Sequence, residues 1–175
     1  LKETPFEELY IQPSAGDGGG ALGAALVAWH GMLSNSQRLE MNHAYWGQSY
    51  TAEECTQALG KYGLSAELLD DQEKLIDRTV EQLEMGKVIG WFQGRFEWGP
   101  RALGNRSILA DPRSAETKNL VNNKIKFREP FRPFAPSVLV ERSEEYFDLP
   151  HAANHMPARF MLLVVPVKDD QKDNI

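Results

Sequence analysis

Apolar and polar positions along the chain change period several times, and each change marks an element. Leu9, Tyr10 and Ile11 lie between polar neighbours, so residues 8–12 read as a short strand. A turn over residues 13–20 comes next, where Gly16, Gly18, Gly19 and Gly20 permit positive φ and close backbone approach. Leu22, Leu26, Trp29 and Leu33 then recur at helical spacing in a run rich in Ala and Leu, which predicts a helix over 21–33. Residues 34–50 hold neither period 2 nor period 3.6 and read as a connecting segment, with a domain boundary near Tyr50.

Beyond that boundary, Thr51 followed by Glu53 and Glu54 marks a helix start. Residues 66–69 suggest a strand, and Leu75, Ile76, Val80 and Leu83 form the apolar stripe of a helix over 71–85. Residues 88–93 read as a buried strand ending at Gly94, so the next residues emerge from a strand's carboxyl end, where open α/β folds bind ligands. Further strands are expected at 137–140 and 160–165, with a helix near 115–123. The pattern predicts an α/β (α+β) chain without internal repeats.

Composition narrows the class. Of the 175 residues 42% are apolar and 25% charged, as in ordinary soluble domains. Cys55 is alone, which excludes an intramolecular disulfide and a cysteine-based zinc site, and fits a reducing, cytoplasmic setting. Apolar runs are interrupted well before the roughly 18 residues a membrane span needs. Leu1-Lys2-Glu3 does not begin a signal peptide, and the absence of an initiator Met is read as the mark of a fragment. The net charge of −6 hides a segregation: residues 95–132 carry nine Lys/Arg against four Asp/Glu, and the rest carries ten against twenty-one. A basic stretch in an acidic protein suits a nucleotide or small phosphate, whereas a nucleic-acid domain is usually basic throughout.

The densest chemistry is Gly94-Arg95-Phe96-Glu97-Trp98-Gly99-Pro100-Arg101-Ala102-Leu103-Gly104-Asn105-Arg106-Ser107, with Asp111-Pro112-Arg113 just beyond. Pro100 is a candidate first position of a short helix, whose free N–H groups beside Arg101 and Arg106 would receive an oxyanion. The alternative is surface ion pairing with Glu97, Asp111 and Glu116. In Lys126-Phe127-Arg128-Glu129-Pro130-Phe131-Arg132-Pro133-Phe134-Ala135-Pro136 cations alternate with aromatics. An extended segment would set Lys124, Lys126 and Arg128 on one face, lining a phosphate channel or charging an edge strand. Asp17 either caps the helix after the glycine turn or serves a metal or ribose, and the amides of Gly18–Gly20 either close a tight turn or face a phosphate. His151 and His155 sit between Pro150 and Pro157 and read as loop residues, His30 as packing, His43 as lacking a zinc-like partner and Cys55 as structural.

Taken together, the stretches 94–113 and 126–136 resemble the signature of the NodU/CmcH-type O-carbamoyltransferases, and residues 16–25 look like the end of the family's first domain. The resemblance implies a tail of an actin/sugar-kinase-like carbamoyl-transfer domain over 1–50, ending in a strand, turn and helix. A partial YrdC-like domain, a twisted sheet with helices, is implied over 51–175. It implies further that ATP and carbamoyl phosphate give carbamoyl adenylate and pyrophosphate in the YrdC-like domain, with the carbamoyl group then passing to an acceptor hydroxyl. By position in the motif Arg101, Lys126 and Arg132 are the expected catalytic cations. Arg95, Arg106 and Arg128, with Gly16, Gly18 and Gly19, are the expected nucleotide and carbamoyl phosphate contacts. Asp17 matches the family's iron-binding aspartate, Fe2+ being expected only in the complete enzyme and Mg2+ with ATP. Without the rest of that domain and the family's later strands the isolated chain is expected to be inactive. Small-molecule substrates are the expected partners, with neither nucleic acid nor membrane, and a homo-oligomer is allowed. The rival is a non-catalytic nucleotide- or RNA-binding module, distinguished by duplex binding with a steep salt dependence.

Overall fold

The computed structural model describes residues 3–6 and 8–175 as an α+β chain. In chain order it contains α1 (Asp17–Val27), α2 (Ala52–Lys61), α3 (Gln72–Glu84), β1 (Ile89–Phe92), β2 (Arg106–Leu109), α4 (Ala115–Leu120), α5 (Ser143–Tyr146) and α6 (Met156–Arg159). π-Helical turns, Ala28–Met32 and Val121–Ile125, extend α1 and α4. Leu1 and Lys2, on which the expectation of no signal peptide mostly rests, lie outside the described residues. Among the described residues no helix is long and apolar enough to cross a membrane.

Two compact units share the chain. The first comprises Leu1–Trp46, Glu97–Leu103 and Ser137–Lys172, and the second Gly47–Phe96, Gly104–Pro136 and Asp173–Ile175. The first crossing, at Trp46, lies four residues before the boundary expected at Tyr50, and two later segments return to the first unit.

In the first unit α1 starts at Asp17, straight out of the turn, so Gly18, Gly19 and Gly20 belong to its first turn rather than to a linker before it. Leu33 N–H closes the π turn on Ala28 O at 2.9 Å, and half-buried His30 packs with Nδ1 2.8 Å from Asn35 O. Ala44 and Phe160, 2% and 3% exposed, anchor the apolar core of this unit. Toward its end Phe147 bridges Val167 antiparallel, with Asp148 N–H on Pro166 O at 2.9 Å.

The second unit conforms more closely to the sequence pattern. Thr51 caps α2 through a reciprocal box: Glu54 N–H donates to Thr51 Oγ1 at 3.2 Å, and Thr51 N–H to Glu54 Oε2 at 2.8 Å. Asp71 caps α3 by accepting from Glu73 N–H at 2.9 Å. β1 pairs antiparallel with β2, Ile89 opposite Leu109 and Phe92 opposite Arg106, and Gln93 N–H to Asn105 O extends the ladder. Ile89, Trp91, Ser107 and Leu109 face inward while Gly90, Phe92, Arg106 and Ile108 face out, as period 2 requires. α4 and its π turn bury Val121 and Asn122.

Four expected strands are not formed. Residues 8–12, 66–69, 137–140 and 160–165 are irregular or helical, so the strand, turn and helix expected at the start reduces to turn and helix. A strand needs a partner edge for its N–H and C=O groups, and none of these segments has one among the described residues. Near residue 160, Pro157 enters α6 instead, and left-handed Met161 then ends any extended run. The apolar stripe of α3 is real but only partly covered, with Leu75, Ile76 and Val80 each at least 40% exposed. Cys55, read as structural, is exposed.

Candidate functional site

The first unit contains a pocket of about 540 Å³. One wall is the glycine turn: Ile11, Gln12, Ser14, Ala15, Gly16, Asp17 and Gly18. The opposing walls are Trp98, Gly99, Pro100, Arg101 and Leu103, with Phe160 and Leu162. The turn folds tightly onto itself because Ser14 is left-handed and Gly20 N–H reaches back to Gly16 O at 3.1 Å. A Cβ on Gly18 would stand 2.7 Å from Ser14 Oγ, and one on Gly19 would run into the Ser14 carbonyl oxygen, so glycine is needed for close approach. Gly99 takes φ +98, which a side chain would strain.

Segment 97–103 carries Arg101 as a loop pinned at both ends. Glu97 is 3% exposed, and its Oε1 accepts from Leu103 N–H at 2.7 Å across the loop. Trp98 N–H donates to Ala44 O at 2.6 Å, and Tyr45 Oη–H to Leu103 O at 2.7 Å. Trp46 and Trp98 rings pack 5.9 Å apart. The helix expected from Pro100 is not formed, because this bracing holds Trp98–Pro100 as a bend with Gly99 left-handed. The Arg101 guanidinium is exposed at the pocket and makes no hydrogen bond or ion pair among the described residues.

Asp17 is the first residue of α1, exposed, and makes no side-chain cap. Asp17 is among the residues that line the pocket. Among the described residues no three His, Cys, Asp or Glu side chains converge. One carboxylate alone does not hold an iron ion, which needs several ligands.

The remaining expected cations lie in the second unit. Arg95 Nε donates to Gly47 O at 2.9 Å, and the Arg106 guanidinium lies 5.5 Å over the Phe96 ring. Lys126 and Arg132 expose their side chains, whereas Arg128 is half-buried, donating from Nε to Asn122 Oδ1 at 2.7 Å and stacking on Phe134 at 4.6 Å. The extended face expected for Lys124, Lys126 and Arg128 is not formed. Lys124 lies in the π turn, Lys126 caps it with φ −94 and ψ −13, and Phe127 is left-handed at φ +46, which breaks period 2. Surface pairing does hold for Arg113: its guanidinium contacts Asp111 at 2.5 Å, and the Arg113 side-chain and backbone hydrogen bonds keep that carboxyl below its ordinary value.

The fold therefore brings Gly16, Asp17, Gly18 and Arg101 into one pocket, with Gly19 supporting its wall. Arg95, Arg106, Lys126, Arg128 and Arg132 belong to the other unit. Sequence reasoning missed Phe160 and Leu162 as pocket walls and Glu97 and Asn122 as buried polar braces. The only local signal for Glu97 was an acid inside a cationic run.

A sequence profile of the carbamoyltransferase C-terminus family matches residues 80–175. The chain is 43% identical over 176 residues to the nodulation protein NolNO of Sinorhizobium fredii, covering 99% of this chain and 25% of that protein. To the nodulation protein NolO of Bradyrhizobium diazoefficiens it is 42% identical over 165 residues, covering 94% and 30%. To the 3'-hydroxymethylcephem-O-carbamoyltransferase of Amycolatopsis lactamdurans it is 34% identical over 142 residues, covering 78% and 24%. The chain thus spans about a quarter to three tenths of the length of these relatives. With the profile matched over more than half its residues, on the stretch that carries Arg101, Lys126 and Arg132, the chain belongs to the carbamoyltransferase family and carries its C-terminal region.

Proposed function

We propose that this chain supplies part of the active site of an O-carbamoyltransferase. In this reading the pocket of the first unit receives the carbamoyl group and the acceptor hydroxyl. The cations of the second unit, in a YrdC-like domain, serve the ATP-dependent formation of carbamoyl adenylate, with Mg2+ accompanying the nucleotide. The observation that carries the reading is the convergence of Arg101 with Gly16, Asp17 and Gly18 in one pocket, although they lie far apart in sequence.

Attack of the acceptor hydroxyl on the carbamoyl carbon of carbamoyl adenylate forms the new C–O bond and builds negative charge on the carbonyl oxygen, before the bond to the phosphate oxygen breaks, AMP leaves and its phosphate takes up the hydroxyl proton. The planar fork of Arg101 is suited to that charge, and the apolar walls of Trp98, Phe160 and Leu162 strengthen the interaction by excluding water. Gly18 and Gly19 N–H lie in the first turn of α1, where backbone donors lack intrahelical partners, and can share the load. Asp17 accepts the hydrogen bond of the acceptor hydroxyl and orients it. In the second unit Lys126 and Arg132 offset the repulsion between two phosphate-bearing substrates. The O-carbamoyltransferase name of the Amycolatopsis relative supports a hydroxyl acceptor.

The test is a fluorescence titration with a non-hydrolysable carbamoyl adenylate analogue, which presents the carbamoyl group that this pocket is read to receive, with Trp98 as the reporter and Trp98→Phe as the blank. Saturable quenching is expected, with more than tenfold weaker binding for both Arg101→Ala and Arg101→Lys, since Lys keeps the charge but loses the fork. Unchanged affinity in Arg101→Ala, from a folded sample, refutes the reading.

A further inference from the structure

Among the described residues the most deeply buried side chain is polar: Asn122, 0% exposed, in the π turn after α4. Its amide is fully used by one loop. Nδ2 donates to Pro130 O at 3.3 Å and to Arg132 O at 3.1 Å. Oδ1 accepts from Arg128 Nε at 2.7 Å, and the Asn122 backbone carbonyl accepts from Arg128 N–H at 3.0 Å. The orientation of the amide is dictated by its neighbours, because two carbonyls can only accept and a guanidinium can only donate. Arg128 completes the brace, reaching Pro133 O from Nη2 at 3.3 Å and stacking on Phe134.

This brace surrounds a strained position. Phe127, 82% exposed, holds φ +46, a conformation that β-carbon residues avoid and that persists only where the surroundings over-determine it. On either side of the brace Lys126 and Arg132 are left exposed, with no side-chain hydrogen bond or ion pair among the described residues. A loop pinned from inside by a neutral amide holds its two exposed cations in place before any ligand arrives, which lowers the ordering cost of binding an anion.

We infer that Asn122 is a positioning residue: with Arg128 as its brace rather than as a ligand, it fixes the 126–134 loop so that Lys126 and Arg132 bind phosphate groups together. The inference deepens the proposed function and rests on its assignment of phosphate-bearing substrates to the second unit.

A double-mutant cycle on this chain tests it, with ATP and carbamoyl phosphate as titrants in calorimetry and amide hydrogen exchange as a second readout. Asn122→Leu keeps the branching and number of side-chain heavy atoms but removes every side-chain polar contact. Asn122→Asp keeps the bond to Arg128 but sets an oxygen against two carbonyls, and it stands in if the first variant does not fold. Either substitution should weaken binding at least tenfold and raise exchange at Lys126 and Arg128 at least tenfold, while β1 and β2 amides stay protected. Introduced into Lys126→Ala/Arg132→Ala, it should cost no further affinity, because its effect runs through those cations. Arg128→Lys, which keeps the charge, should lose affinity as the Asn122 variants do.

Losses that add in the cycle, or Arg128→Lys binding as wild type, overturn the positioning role. Faster exchange at 126–128 with affinity unchanged overturns it as well. If the unmutated chain binds neither titrant, the proposed function fails for this unit, and the ligand half of the inference falls with it. In that case unchanged exchange in the Asn122 variants would also remove the brace.

Discussion

Two adjacent glycines in the first turn of α1 should respond to alanine with opposite signs. In a helix Gly→Ala ordinarily stabilises by about 0.5–1 kcal/mol, because alanine restricts the unfolded chain more and favours the helix. At Gly20 a Cβ meets nothing within 4 Å, so the full gain should appear. At Gly19 the same atom would overlap the Ser14 carbonyl oxygen. That oxygen is backbone and cannot rotate aside as a side chain does. Ser14, itself left-handed, must move with it. Forcing such a contact costs about 1–3 kcal/mol, which outweighs the helical gain and leaves a net loss of roughly 1–2 kcal/mol. For a chain of this length each kcal/mol shifts the thermal midpoint by about 2–4 °C, so Gly20→Ala should raise it by about 1–4 °C and Gly19→Ala lower it by about 2–8 °C. Circular dichroism melts at 222 nm under one scan rate measure both. Ser14 also lines the pocket, so Gly19→Ala, unlike Gly20→Ala, should weaken the response to the carbamoyl adenylate analogue. Shifts of the same sign for the two variants would refute the idea that close approach to Ser14 dictates glycine here.

Thr51→Ala removes the side-chain half of the α2 capping box and should cost about 1 kcal/mol, with Thr51→Ser close to neutral; equal urea midpoints for Thr51→Ala and the parent chain would show the cap contributes nothing. Asp111 has its pKa lowered by Arg113, so the pair's stabilisation is present above the ordinary carboxylate value of 3.8 and fades as pH falls through the depressed one. NMR titration should therefore find Asp111 moving up toward its ordinary value in Arg113→Ala, and no movement would mean the contact is not held in solution.

What the sequence made legible was local. The caps of α2 and α3 are set by Thr51 and Asp71, residue types that satisfy the free N–H groups of a first turn whatever lies elsewhere in the fold. β1 was legible because residues 88–93 are apolar and bounded by Gly94, whose φ of +58 opens the turn. The strands that did not form share one trait: their segments have no partner edge among the described residues, and Leu68, Leu139 and Val164 stay more than 60% exposed. Strand propensity in such runs states what the segment would do against an edge, and the presence of an edge is not a local property. β2 escaped notice for the converse reason. Four residues beginning with Arg106 look like part of a cationic motif until β1 lies beside them.

The same distinction governs the site. Residues 95–132 form one basic run in sequence, yet segment 97–103 with Arg101 belongs to the first unit while Lys126 and Arg132 belong to the second. The net positive count of that stretch thus does not by itself say which cations serve one site. What separates a binding cation from a structural one is the use of its donors. Arg128 spends its guanidinium on Asn122, Pro133 and Phe134, and Arg113 spends its own on Asp111, whereas Arg101 lies at a pocket with no partner among the described residues. Arginines of equal standing in the motif thus divide by the carbonyls, carboxylates and rings around them. For Arg128 the partner is Asn122, and for Arg101 the loop that carries it is braced by Glu97, two buried polar residues whose importance only the folded chain reveals.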